Sequence, residues 1–81
     1  MSSARAIEMI RAEYTRAMGP MAHALLDEML ESLAMTPEEF PPSKLPELIE
    51  KLSWEIQNER RRVAFQKEAL RQLQHLREGE A

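Results

Sequence analysis

Between Pro46 and Gly79 the chain contains neither proline nor glycine. Glu, Leu, Arg, Gln, Lys and Ala, all good helix formers, dominate that stretch. Ser43 is placed to cap a helix there, and Pro46 falls in its first turn, where amide donors lack helical acceptors anyway. The pattern predicts one helix over residues 44–78. About 35 residues at ~1.5 Å each give roughly 52 Å, whereas a compact globule of this length has a radius of gyration of only about 12 Å. Such a helix either takes two earlier helices along its side or projects and requires a second chain. Both outcomes predict an elongated molecule.

Upstream the chain is punctuated at Gly19-Pro20, Thr36-Pro37 and Pro41-Pro42. The first helix is predicted over about 3–18, with Ile7, Ile10, Tyr14, Ala17 and Met18 in one apolar stripe. Proline removes an amide donor and clashes with the carbonyl four residues back, so Gly19-Pro20 predicts a break. The second helix is predicted over about 20–35. Its wide apolar face (Ala22, Leu25, Leu26, Met29, Leu30, Leu33) makes it the expected centre of the core. Thr36 and Glu39 have the spacing of a capping box. Pro41-Pro42 stops the helix they start after a single turn, which buries Phe40.

Along the third helix Ile49, Ile56, Val63 and Leu70 recur every seven residues, and Leu45, Leu52, Glu59, Gln66 and Leu73 form a second column. β-branched residues in the first column suit a two-stranded seam, which Glu59 and Gln66 weaken. Trp54 and Phe65, eleven residues apart, share another side. Leu52 and Ile56 are assigned to the core of each subunit. Val63, Leu70 and Leu73 are assigned to a partner interface. The fold class is therefore all-α: two shorter helices on one long C-terminal helix, in a single domain spanning 1–81 and associated as a helical-bundle homodimer.

A domain of 81 residues buries a modest fraction of its surface and commonly gains stability from a partner. It has no cysteine, which excludes disulfides and thiolate metal sites. No apolar run approaches the ~20 residues of a membrane span, and charges interrupt the N-terminus where a signal peptide would be apolar. The expected location is cytoplasmic. The net charge of −3 is too small to demand a polyanionic partner.

Residues 1–43 carry three Arg against seven acids and residues 44–81 carry eight Lys or Arg against seven, an asymmetry that can steer association. Arg60, Lys67 and Arg71 extend positive charge along one side of the third helix. They define the alternative function, a nucleic-acid-associated regulator. An acidic whole and the lack of a helix-turn-helix glycine signature argue against it.

The residue pattern supplies no catalytic, cofactor or metal site. His23 and Asp27 have i, i+4 spacing, but a metal site needs further convergent ligands, and a solvated pair is the plainer reading. Glu28 with Glu31, and Glu38 with Glu39, read as solvated faces and helix-start charges. With Gly19 and Gly79 the only glycines, a phosphate loop is excluded. Met9, Met18, Met21, Met29 and Met35 read as core filling, although thioethers also suit adaptable binding surfaces.

Gly19-Pro20-Met21-Ala22 precedes an apolar helix, and Leu45, Leu48, Leu52 and Ile56 precede Asn58-Glu59-Arg60 and Phe65. This arrangement resembles a small helical module at the C-terminal ends of some bacterial signalling proteins, including serine/threonine kinases and response regulators. The resemblance covers about two thirds of the chain and departs from the module's pattern in a third helix expected to run on past Phe65. It implies a bacterial regulatory or adaptor context and assigns no chemistry to particular residues. The function expected is a non-catalytic helical protein–protein interaction module, with itself and an unidentified protein as partners.

Overall fold

Among the described residues, 3–80, the computed structural model is helical and contains no strand. The elements are α1 (Ser3–Met18), α2 (Met21–Ser32), a 3-10 turn (Pro42–Lys44), α3 (Leu45–Ser53) and α4 (Glu59–Glu80). The predicted third helix is thus two helices. They form an antiparallel pair, since Ser53 sits beside Gln66 and, at the far end, Arg77 donates to the Pro42 carbonyl at 2.9 Å.

The break at residues 54–58 uses neither proline nor glycine. Trp54, Glu55 and Ile56 amides each bond three residues back, to Lys51, Leu52 and Ser53, which tightens the end of α3. Asn58 then starts α4 as a side-chain cap, its Oδ1 accepting from the Arg61 amide at 3.0 Å. The Arg62 guanidinium Nε donates to the Ile56 carbonyl at 3.1 Å and closes the corner.

A continuous helix would keep a few more backbone bonds, worth about 1 kcal/mol each. Folding back instead buries Leu45, Leu48, Ile49, Leu52 and Ile56 together with Phe65, Ala69 and Leu73. Each large apolar side chain gains roughly 1.5–3 kcal/mol, so the hairpin wins.

The expected elongated shape is corrected with the helix. Principal extents are 34 × 26 × 18 Å and the radius of gyration is 11.8 Å. The 22 residues of α4 alone account for about 33 Å, so the molecule is no longer than its longest helix.

α1 lies against α4, α2 and α3. Its Ala6, Ile7, Ile10 and Tyr14 are fully buried, while Ala17 and Met18 of the predicted stripe are partly so. The Tyr14 and Phe65 rings meet at 5.2 Å between centroids, tilted by 47°. Phe65 therefore belongs to the core, and the pairing of it with Trp54 on one side does not hold. Trp54 is 64% exposed, with the Arg62 guanidinium 5.2 Å above its ring.

α2 is not the centre of the core. Ala22, Leu26 and Leu30 are buried, but Leu25, Met29 and Leu33 only pack at its edge. The turn between α1 and α2 has Gly19 at φ +75°, the left-handed region that glycine enters without a Cβ penalty. Thr36 and Glu39 form half of the predicted capping box, and the segment is a turn with no helix following: the Thr36 hydroxyl accepts from the Glu39 amide at 3.3 Å and donates to Glu39 Oε1 at 2.8 Å. Phe40 is buried behind it, and its carbonyl accepts from the Ser3 hydroxyl.

Candidate functional site

α3 and α4 diverge enough to leave an open groove of about 390 Å³, lined by Pro46, Glu47, Ile49, Glu50, Gln66 and Leu70. Its floor is apolar because Ile49 is buried. Its head is closed by the Gln66 amide, which donates to the Ser53 hydroxyl at 2.8 Å. On α4, Val63 and Leu70 are separated by two turns and so stand on one side. They are 39% and 43% exposed. Together with the groove they make an apolar strip along the outer side of the α3–α4 pair.

The structure divides the predicted interface. Val63 and Leu70 lie on this strip, but Leu73 does not: it is 2% exposed and packs in the core. The reason is the break. It resets the phase of α4, whose inward face becomes Phe65, Ala69 and Leu73 at steps of four. Leu70 then faces outward, three residues before Leu73. Pro46, Glu50 and Gln66 were not expected here, because their proximity exists only once α3 folds back. The Asn58 side chain, followed by the acidic Glu59, is the one local signal of that cap.

Arg60, Lys67 and Arg71 are all exposed and fall on one side of α4, beyond Val63 and Leu70. Arg71 is committed to Glu68, with both guanidinium Nε and Nη2 donating to its carboxylate. That pairing, with the Gln72 amide, holds the Glu68 carboxyl at about 2 and pushes the Arg71 guanidinium further up. Gln72 Nε2 also donates to Glu13 Oε1 at 3.1 Å, linking α1 to α4. A second groove, between these helices, is lined by Glu13, Arg16, Ala17, Arg61, Phe65 and Glu68 among others.

His23 and Asp27 are both met by Arg11, whose Nη2 donates to Asp27 Oδ1 at 2.7 Å while Nη1 lies 3.4 Å from His23 Nδ1. The pair is a cation-bridged helix contact. His75 is exposed beside Arg5, Met9 and Leu76. Among the described residues no three His, Asp or Glu side chains converge in a metal-binding arrangement, and no helix is long and apolar enough to cross a membrane.

A family described as a domain of unknown function, DUF8082, matches residues 5–78. The chain belongs to that family. The DUF8082 match runs from the first turn of α1 to the last turns of α4, so the family unit and the folded unit coincide. No curated protein and no solved structure matches the chain.

Proposed function

We propose that this DUF8082 domain is a non-catalytic helical interaction module, an adaptor or regulator that docks other protein surfaces on its α3–α4 face. The supporting observation is the strip formed by Val63, Leu70 and the Pro46–Ile49 groove. It gathers apolar side chains within a border of charged ones, the composition of an interface core with a polar rim. The bacterial signalling context rests on the resemblance of the Gly19-Pro20-Met21-Ala22 and Asn58-Glu59-Arg60 segments.

Phosphate binding through Arg60, Lys67 and Arg71 is the weaker reading. Arg71 is already paired with Glu68, and the chain as a whole is acidic. Salt separates the two, since phosphate contacts weaken steeply with added salt and apolar docking does not.

The direct test is capture from the source cell with the wild-type chain and with Leu70→Glu, followed by mass spectrometry. Proteins retained by the wild type should be lost from the variant. An identical set of retained proteins would remove this face from the proposal.

A further inference from the structure

We infer that the occupant of this face is a second copy of the chain, in a two-fold dimer whose axis runs parallel to α4. The inference rests on the reading of the α3–α4 face as a docking surface and gives it a partner and an orientation.

The face differs in charge from one edge to the other. Glu47 and Glu50 line the groove on its α3 side, and Arg60 and Lys67 stand on its α4 edge beyond Val63 and Leu70. Among the described residues these four form no ion pair within the chain. Lys44 and Lys51 are exposed at α3 but do not line the groove, and Glu59 lies one turn before Val63 on α4. An apolar strip with an acidic edge and an unpaired basic edge is complementary to itself.

The two possible two-fold arrangements treat those edges differently. With the axis parallel to α4, both copies of α4 run the same way and left is exchanged for right. The acidic edge of each copy then meets the basic edge of the other. The heights also agree. The Ser53–Gln66 bond and the shared lining of Ile49, Glu50, Gln66 and Leu70 put Glu50 level with residues 66–70 of α4. Glu50 therefore meets the partner's Lys67, Val63 meets the partner's Val63, and Leu70 meets the partner's Leu70. With the axis perpendicular to α4 the helices run antiparallel and edges meet like with like. The basic edge of α4 would face the partner's basic edge, and the glutamates of α3 would face each other. Like charges at such contacts are unfavourable, so the parallel arrangement is selected.

Sedimentation and light scattering on the full chain should give a dimer mass at tens of micromolar. Glu50→Lys or Lys67→Glu alone breaks two contacts per dimer and should weaken association roughly fivefold to twentyfold. Combining the two reverses both edges and should restore it. Because the chain has no cysteine, orientation can be read by single substitutions. A disulfide needs Cα atoms about 4.4–6.8 Å apart, whereas Val63 and Leu70 are separated by roughly 10 Å along α4. Leu70→Cys should therefore oxidise to a dimer with itself, and a mixture with Val63→Cys should give no 63–70 cross-link.

A 63–70 cross-link, or charge reversals without effect on the mass, would overturn the proposed arrangement. A monomeric wild type overturns self-association. If that monomer still captures a protein through Leu70, the docking reading survives alone. If capture is also independent of Leu70, both fall.

Discussion

The Gln66 amide donates to the Ser53 hydroxyl at 2.8 Å, and that hydroxyl in turn donates to the Glu50 carbonyl. Ser53 is fully buried at the C-terminal end of α3, so this chain of bonds fixes how far α3 stands from α4 and sets the width of the groove. Gln66→Ala should cost about 0.5–1.5 kcal/mol. Ser53→Ala should cost a similar amount, and the double variant less than the sum because both singles remove the same contact. Denaturant titrations of the four proteins measure that coupling. Strict additivity would mean the bond contributes nothing to the pairing of α3 and α4.

Tyr14 is fully buried, and its hydroxyl is the one buried side-chain polar atom without a partner among the described residues. Burial, reinforced by the negative charge of Glu55, pushes its pKa up to about 12. In the unfolded chain the phenol ionises near 10. Between those values the unfolded state has lost a proton that the folded state keeps, so stability falls as pH rises, by on the order of 1 kcal/mol per pH unit. Below the unfolded value the effect is absent. Tyrosinate absorbance reports this group alone, because the chain has a single tyrosine. Tyr14→Phe should abolish the alkaline loss and leave neutral-pH stability unchanged or higher, since it removes an unpaired hydroxyl but keeps the ring on Phe65.

Two turns should respond in opposite directions to exchanges of glycine and alanine. Ala34, just beyond the C-cap of α2, has φ +54°, a conformation costly for any residue with a Cβ. Ala34→Gly should therefore stabilise by about 0.5–1 kcal/mol. At Gly19, φ is +75° and a Cβ would meet nothing within 4 Å. Gly19→Ala should thus destabilise by about 1 kcal/mol through the backbone alone. Thermal melts of both variants check the signs, and a neutral Gly19→Ala would show that the turn relaxes.

Proline and glycine signals explain which parts of this fold are legible in the sequence. The C-terminal end of α1, the Gly19-Pro20 turn and the Thr36–Phe40 segment all stem from local chemistry that acts within four residues. The α3–α4 corner does not, because helix propensity and apolar period both continue through residues 54–58. What breaks the helix there is tertiary: folding back lets Ile56 and Phe65 enter one core with Tyr14. Asn58 records the decision but could equally sit exposed within a helix, where its cost is small. The same corner hides the groove, because Glu50 and Gln66 become neighbours only after it forms.

The phase reset on α4 gives the sharpest contrast, between Leu70 and Leu73. On one unbroken helix both lie beyond the length that a compact globule covers, which assigns both to association. The structure separates them, with Leu70 43% exposed and Leu73 2% exposed against the core. Leu73→Ala should cost about 2–5 kcal/mol, a large share of the roughly 4–12 kcal/mol that a domain of this length holds. Its melt should fall equally at every protein concentration. Leu70→Ala removes no core contact, and away from its partner should change stability by no more than about 0.5 kcal/mol. If a second copy covers Leu70, the melting temperature of the wild type rises with concentration, and Leu70→Ala flattens that rise while leaving the dilute melt in place. Circular dichroism melts of the three proteins over a wide concentration range distinguish the two side chains. Equal losses at all concentrations would put Leu70 in the core and return α4 to the phase of an unbroken helix.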